Sequence, residues 1–240
     1  MKLPAGEIHI CILDTRKYEH EIIHFEKLLS GDELSKAGRF RIAKDRISYV
    51  ICRGSLRSIL SEYTGVNPSE IVFSYTSFGK PFIKDSEIKF NLSHSCDYAV
   101  IAFSGINEIG VDIERLREMP DAMNIASRYF SEKEILEFSG LKNESINTEF
   151  FKCWTKKEAF IKAKGEGLSY PLKNFSVSVG DSRRAEIIEI TGNPAEAENW
   201  SLYEIEINNE YVSALAVKSL KADLVYRNLH WKFFNKTIVI

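Results

Sequence analysis

Two carboxylates, Asp112 and Glu114, lie two residues apart in the segment IGVDIERL. Residues at this spacing point to the same face of a β-strand, so the two side chains would lie side by side. Neighbouring carboxylates repel each other, and a hard dication such as Mg²⁺ relieves the repulsion while keeping coordination positions for waters and phosphate oxygens. The alternative is a solvated strand end paired with Arg115 or Arg117. For this short motif alone, the alternative is favoured.

A third carboxylate, Glu158, lies in the lysine-rich segment FFKCWTKKEAFIKAKGEGL. Trp154, Glu158 and Ile161 recur at helical spacing and share one side of the predicted helix, with Lys157 and Lys162 flanking it. An exposed ion pair of Glu158 with Lys162 would contribute only about 0.3 kcal/mol and would not explain why Trp154 shares its side. We therefore predict that Glu158 faces inward and completes a Mg²⁺ site with the first two carboxylates, while the lysines bind phosphate oxygens.

The segment KFNLSHSCDYAVIAF places His94 between Ser93 and Ser95, directly before an apolar strand. A Ser–His nucleophilic pair is not expected, because sequence neighbours on an extended chain point apart and the chain has no GxSxG turn. Hydroxyl groups and an imidazole N–H are good donors to a pyrophosphate. The alternative is a turn in which these side chains satisfy one another.

Basic residues on the first two predicted helices could bind a further phosphate. Arg46 and Arg53 are seven residues apart and share a helix face, and Lys36 and Arg39 precede them. A solvated basic face explains the spacing equally well.

The composition restricts the classes of function. The chain has 240 residues, 44% of them hydrophobic, which suffices for one large core or two lobes. A net charge of −2 argues against a nucleic-acid partner, although a local basic site remains compatible with it. The four cysteines form no CxxC pair, which favours a reduced, cytoplasmic environment. No apolar run has the length of a signal peptide or membrane span, so no membrane association is expected.

The order of predicted elements indicates an α+β fold. Helices and short alternating strands occur on both sides of a predicted mid-chain hairpin at residues 98–114, and residues 121–140 are predicted as a helix. The matched order predicts two similar lobes that form a pseudo-dimer, each with a small, mainly antiparallel sheet packed against a long helix. We place the N-terminal lobe at residues 1–108 and the C-terminal lobe, with an unassigned tail, at residues 109–240.

Together these segments resemble the 4'-phosphopantetheinyl transferases of the surfactin-synthetase-activating type. The matching stretches are FGKPFI, FNLSHS, GVDIE and FFKCWTKKEAFIKAKGEGL, preceded by KAGRF and KDR, and they span approximately residues 30–175. The resemblance implies a monomeric, Mg²⁺-dependent enzyme that binds coenzyme A in the cleft between its lobes. Such an enzyme transfers the 4'-phosphopantetheine arm to a serine of an apo acyl or peptidyl carrier protein and releases 3',5'-ADP.

The resemblance also implies roles for individual residues. Asp112, Glu114 and Glu158 would bind Mg²⁺, and Glu158 and Lys162 would be catalytic, with Glu158 acting as base either directly or through a metal-bound water. Coenzyme A would be bound by Lys36, Arg39, Arg46, Arg53, Gly79, Lys80, Pro81, Ser93, His94, Lys157 and Lys162. The chain departs from some relatives at Glu33, where they carry a basic residue, so the arginines of this set would take a larger share of the 3'-phosphate.

Several alternatives remain open from the sequence. A non-catalytic regulator that binds coenzyme A or a nucleotide could use the same fold, but it would have little use for a complete set of metal ligands and a base. A Mg²⁺-dependent pyrophosphate hydrolase would cleave coenzyme A without a carrier protein. Nothing selects among carrier proteins of fatty acid, polyketide, nonribosomal peptide or lysine pathways. The tail after about Val225 matches nothing in the family and is expected to form a lid, an interface or an added strand.

Overall fold

A computed structural model describes residues 3–180, 184–233 and 236–239. Its strands are β1 (Glu7–Asp14), β2 (Ser74–Tyr75), β3 (Pro81–Phe82), β4 (Lys89–Ser95), β5 (Tyr98–Ser104), β6 (Ile109–Arg115), β7 (Phe175–Val177), β8 (Ile187–Ile190), β9 (Ser201–Glu204), β10 (Tyr211–Val217), β11 (Asp223–Tyr226), β12 (His230–Phe233) and β13 (Lys236–Val239). Its α-helices are α1 (Ile22–Glu26), α2 (Gly31–Ala37), α3 (Ala43–Thr64), α4 (Ala122–Tyr129), α5 (Glu132–Ser139), α6 (Asn143–Lys164) and α7 (Pro194–Ala197).

Two sheets and two long helices form four layers in the order helix, sheet, sheet, helix. The first sheet has the strand order β11-β1-β5-β4, and the second has the order β6-β10-β9. Alternation along β1 explains the layering, since Cys11 and Leu13 pack against α3 whereas Ile8 and Ile10 pack against the second sheet. On β10, Ala214 packs towards α6. The predicted α+β class with a sheet against each long helix is therefore confirmed.

The two long helices have the same length and the same ending. Both α3 and α6 contain 22 residues, and each ends at a glycine with φ of 73°, Gly65 or Gly165. Glycine adopts this left-handed conformation without the steric cost of a Cβ atom, which is why it terminates helices in this way. The matched helices support the description of two similar lobes. No helix in the described part of the chain is long and apolar enough to span a membrane.

The predicted hairpin at residues 98–114 is wrong. Strand β5 pairs with β1 and β4, whereas β6 pairs with β10 in the other sheet. Residues 105–108 therefore carry the chain from one sheet to the other. Both strands are buried on two faces, so their apolar pattern does not tell which strand each one pairs with.

The single helix predicted over residues 121–140 is divided into α4 and α5. Ser131 begins α5 with a capping box, in which its hydroxyl accepts from Glu134 N and the Glu134 carboxylate accepts from Ser131 N. The extended backbone that this cap requires ends α4 at the preceding residues.

The C-terminal tail expected after about Val225 begins inside strand β11, so the roles expected for the rest of the tail stay predictions. Strand β11 pairs in parallel with β1 at the edge of the first sheet. Beyond it, Arg227 N donates to Ile10 O at 2.8 Å and the Arg227 guanidinium donates to Tyr63 Oη at 2.8 Å. A strand from the C-terminal half thus belongs to the sheet of the N-terminal half, so the two halves share this sheet. The division into lobes at residues 1–108 and 109–240 therefore stays a prediction.

Candidate active site

Polar side chains on one face of β4 connect the two sheets beside the carboxylates. Asn91 Oδ1 accepts from Val111 N at 2.9 Å, and Ser93 Oγ donates to Asp112 Oδ1 at 2.8 Å. Ser95 continues the series, since alternate residues of a strand share a face. All these groups except Ser95 are buried. They fix the position of β6 relative to β4 without a backbone ladder between the two strands.

Glu114 lies one step further along the same face of β6. Ser95 Oγ donates to Glu114 Oε2 at 3.0 Å and accepts from Arg115 N at 3.1 Å. The carboxylate is half-buried and also lies 3.6 Å from the Arg117 guanidinium. The alternative pairing with an arginine is thus present, but Ser95 orients the same carboxylate towards the junction of the sheets.

Helix α6 approaches β6 at Gly110 more closely than any side chain would allow. A Cβ atom on this residue would lie 2.2 Å from both Ala159 O and Ala163 N. The helix backbone therefore packs directly on the strand two residues before Asp112. This contact brings Lys162 of the helix to the level of the Asp112 carboxylate.

Lys162 forms an ion pair across this contact. Its Nζ donates to Asp112 Oδ1 at 2.6 Å and to Ser93 Oγ at 2.9 Å, and its side chain is 30% exposed. The partner of Lys162 is therefore the carboxylate of β6, and a surface pair with Glu158 on its own helix does not explain its position.

Glu158 faces inward, as the helical spacing predicts. Its Oε1 atom is buried and has no hydrogen-bond partner, and the same holds for Asp112 Oδ2. Burial, together with the charges of Asp112 and Glu114, raises the pKa of the Glu158 carboxyl, while Lys162 opposes the shift. Buried carboxylate oxygens without partners are energetically costly, and a cation between them would remove that cost.

These oxygens fit a hard cation such as Mg²⁺. Among the described residues, no three acidic, histidine or cysteine side chains are already arranged as a metal site. At Asp112, the positive charge is supplied by the Lys162 ammonium. A metal ion at these oxygens would compete with the Lys162 ammonium for Asp112.

His94 follows Ser93 on β4, and its imidazole lies close enough to Lys162 for the ammonium charge to affect it. His94 is exposed, and partial desolvation and the nearby Lys162 ammonium lower the pKa of its imidazole, while Asp45 at the start of α3 opposes this. The imidazole is therefore near a lysine that could share an anionic ligand with it. The structure thus brings together Ser93, His94, Asp112, Glu114, Glu158 and Lys162.

The cations predicted for the 3'-phosphate fall into two groups. Lys36 and Arg39 are exposed, and Lys36 Nζ lies 5.3 Å from the centre of the Tyr49 ring. These two side chains remain accessible to an anionic ligand.

Arg46 and Arg53 are engaged by acids from the preceding helices. Arg46 pairs with Glu26, and Arg53 pairs with Glu33 at 2.5 Å. Glu33, the departure noted in the sequence, is buried and also binds Arg57 at 2.5 Å. Glu33 thus offsets the charge of Arg53, so the prediction that Arg53 compensates for Glu33 at the 3'-phosphate stays a prediction.

Lys157 does not lie in the candidate site, and its predicted contact with the pyrophosphate is wrong. Its ammonium is fully buried between α5 and β7, donating to Glu134 at 2.6 Å and to Phe175 O at 2.8 Å. It also lies 4.2 Å from the centre of the Phe175 ring. Consecutive helical residues point about 100° apart, so Lys157 faces the core while Glu158 faces the site.

We expect Lys157→Met to reduce stability without affecting ligand binding. Removing one partner of a buried ion pair typically costs about 3–5 kcal/mol, because Glu134 would remain charged and buried. Chemical denaturation should show this loss for Lys157→Met, no comparable loss for the exposed Lys173→Met, and partial recovery in Lys157→Met/Glu134→Gln. Weaker coenzyme A binding by a stable Lys157→Met variant would instead return Lys157 to the site.

The turn FGKPFI joins β2 and β3. Gly79 has φ of 84°, which favours glycine, and its N–H donates to Thr76 O. Pro81 begins β3, and the Lys80 ammonium donates to Ile109 O at 3.0 Å and to Ala163 O at 2.9 Å. The Lys80 side chain is thus engaged by backbone carbonyls rather than exposed to a ligand.

Sequence reasoning missed Asn91, the role of Ser95 as a donor to Glu114, and Gly110. The alternation of small polar residues in KFNLSHS is a signal for the first two, because it places all of them on one strand face. For Gly110, the glycine before VDIE is a weak signal of close backbone approach.

Comparison with known proteins gives a consistent set of similarities. A family model described as the 4'-phosphopantetheinyl transferase superfamily matches residues 108–216, and one described as 4'-phosphopantetheinyl transferase, N-terminal, matches residues 16–105. The 4'-phosphopantetheinyl transferase HetI of Nostoc sp. is 35% identical over 227 residues, or 90% of each chain. The 4'-phosphopantetheinyl transferase Sfp of Bacillus subtilis is 31% identical over 182 residues, covering 75% of this chain and 80% of Sfp. Among solved structures, Thermotoga maritima holo-[acyl-carrier-protein] synthase aligns with a TM-score of 0.37 and 19% identity, covering 51% of this chain and 66% of that one.

Proposed function

The chain belongs to the 4'-phosphopantetheinyl transferase superfamily, and we propose that its reaction takes place where β4, β6 and α6 meet. The enzyme transfers the 4'-phosphopantetheine arm of coenzyme A to carrier proteins. The observation that carries the placement is the convergence of Asp112, Glu158 and Lys162, two of which have buried carboxylate oxygens without partners.

In this proposal Asp112, Glu114 and Glu158 bind Mg²⁺. When bound, the ion neutralises the pyrophosphate of coenzyme A and orients it for displacement. Ser93 and Ser95 hold two of the carboxylates in place through their hydroxyl groups. Both serine side chains are short, so their hydroxyl groups restrict the carboxylate rotamers at little entropic cost.

The remaining groups accept the proton of the attacking serine and offset the negative charge of the phosphates. The serine oxygen of the carrier protein forms a bond to the phosphorus that bears pantetheine, and the bond from that phosphorus to 3',5'-ADP breaks. Glu158 accepts the proton of the serine hydroxyl, since its carboxylate faces the site and has a buried oxygen without a hydrogen-bond partner. Lys162 and His94 donate to phosphate oxygens, and the Lys162 ammonium offsets the charge on the departing phosphate.

Lys36 and Arg39 are proposed to bind the 3'-phosphate. Wild-type enzyme should use dephospho-coenzyme A less well than coenzyme A, and Lys36→Ala should narrow the difference. Each charged hydrogen bond to a phosphate contributes roughly 1.5–3 kcal/mol, so the ratio of kcat/KM for the two donors should change by at least about tenfold. The exposed Lys84→Ala serves as control, and equal use of both donors by the wild type would remove this assignment.

We further propose a monomer in the cytoplasm, with the lobes divided near residue 108 and with no nucleic-acid or membrane partner. Four free cysteines support a reducing environment. The net charge of −2 supports the absence of general polyanion binding.

The function is tested by incubating the protein with coenzyme A, Mg²⁺ and a panel of apo acyl and peptidyl carrier proteins. Carrier masses and released 3',5'-ADP are measured with and without each carrier. We expect equal amounts of phosphopantetheinylated carrier and 3',5'-ADP, and we expect both products only when a carrier protein is present. Coenzyme A cleavage without a carrier would indicate a hydrolase, and binding without turnover would indicate a regulator.

A further inference from the structure

The Lys80 side chain extends away from the turn between β2 and β3, and its ammonium binds backbone carbonyls of β6 and α6. It donates to Ile109 O, at the first residue of β6, and to Ala163 O, in the last turn of α6. The side chain is only 14% exposed, and Glu108 is 3.5 Å away. Such burial lowers the pKa of the ammonium, while Glu108 opposes the shift. Two backbone carbonyls and one carboxylate thus replace the water that this cation loses.

The two carbonyls belong to the segments whose contact forms the candidate site. The last turn of an α-helix leaves its carbonyls without intrahelical partners, and Lys80 supplies one for Ala163 O. The Lys80 stem also lies against the turn that ends α6, since a Cβ on Gly165 would be 3.4 Å from Lys80 Cδ. Gly110, where the helix backbone touches β6, directly follows the strand residue that Lys80 binds.

Lys80 therefore connects three chain segments around one contact. Lys162 directly precedes Ala163 on α6, and Asp112 lies three residues after Ile109 on β6. The side chains of Lys162 and Asp112 form an ion pair at 2.6 Å. A change in the separation of the two carbonyls would change the position of this pair.

We propose that Lys80 is a positioning residue for phosphopantetheine transfer, which holds α6 against β6 by binding Ile109 O and Ala163 O and so keeps Lys162 beside Asp112. This inference rests on the proposed function of that site. It differs from the role implied by family resemblance, in which Lys80 contacts coenzyme A. The two roles separate kinetically, because a positioning residue affects turnover whereas a ligand contact affects binding.

The test compares Lys80→Met with Lys89→Met. Lys89 lies on β4, is 37% exposed and contacts the same Glu108 at 3.0 Å, so it controls for the loss of a lysine near that acid. A displacement of about 1 Å at a reacting group can reduce turnover by around 10²-fold, so Lys80→Met should lower kcat by roughly 10- to 100-fold. Its calorimetric affinity for coenzyme A should change by less than about threefold, and Lys89→Met should resemble wild type in both quantities.

Amide hydrogen exchange provides a readout that does not depend on activity. Peptides covering residues 160–166 and 108–112 should exchange at least about tenfold faster in Lys80→Met, and not in Lys89→Met, because the tie between them is lost. Should Lys80→Met not fold, Lys80→Gln, whose amide is too short to reach both carbonyls, takes its place under the same criteria.

Each outcome decides the proposal. Lower coenzyme A affinity with unchanged kcat would assign Lys80 to ligand binding and overturn it. Unchanged exchange in both peptides would also overturn it. If wild-type enzyme modifies no carrier protein, the proposed function fails, but faster exchange in Lys80→Met would still establish the tie between α6 and β6.

Discussion

Asp112→Asn is expected to reduce phosphopantetheine transfer by more than about 100-fold, because groups that only support metal ligands already cost 10- to 100-fold when removed. The asparagine keeps the shape of the side chain and can still accept from Ser93 Oγ. It loses the negative charge that Lys162 binds and that a Mg²⁺ ion would need. Release of 3',5'-ADP under saturating coenzyme A measures the effect.

The stability of Asp112→Asn should fall only slightly. Lys162 is 30% exposed, so its ammonium can return to solvent or turn towards Glu158 when its partner becomes neutral. Asp223→Asn, an exposed change on β11, is the control. If Asp112→Asn melts far below this control and retains activity, Asp112 is a structural partner of Lys162 and not a metal ligand.

Glu158→Gln should lower turnover by about 10²- to 10⁴-fold, the range associated with loss of a general base. Coenzyme A should still bind, because the amide preserves the volume and one oxygen of the side chain. The melting temperature should stay equal or rise, since neutralisation removes the cost of burying the charge and relieves the repulsion from Asp112 and Glu114, which together raise the Glu158 pKa.

The control for this variant is Glu118→Gln, an exposed change beyond the end of β6. A surface pair of Glu158 with Lys162 would predict changes of a few tenths of a kcal/mol in stability and unchanged rates. Near-wild-type turnover in Glu158→Gln would therefore remove Glu158 from catalysis, whatever its effect on stability.

The orientations of the three carboxylates could be predicted from the sequence, because the direction of each side chain follows from local periodicity. Asp112 and Glu114 share a strand face by the period of two, and Glu158 shares a helix side with Trp154 by the period of 3.6. These rules require no knowledge of neighbouring elements. The sequence pattern also predicts that Glu158 joins the first two carboxylates in one site, and the family resemblance implies the same set.

Lys157 shows where local periodicity is insufficient. Helix α6 packs on β6 on one side and on Glu134 and Phe175 about 100° away, so a charged residue such as Lys157 can be fully buried away from the site. A sequence pattern cannot tell a lysine that faces a ligand from one that meets a buried acid on another helix.

Long-range pairing limited the remaining predictions. Arg53 is bound by an acid 20 residues earlier, and Lys80 by carbonyls 29 and 83 residues later. Nothing in the spacing of these residues indicates such partners. For the same reason, the sequence pattern predicts one hairpin for the apolar strands β5 and β6, although they lie in different sheets.

The most direct test of the account is the mass of an apo carrier protein after incubation with coenzyme A and either wild-type enzyme or Asp112→Asn, each with Mg²⁺ or with EDTA. The account predicts that only the wild-type enzyme with Mg²⁺ adds phosphopantetheine to the carrier. Addition at the wild-type rate by Asp112→Asn, or by wild-type enzyme in EDTA, would contradict it.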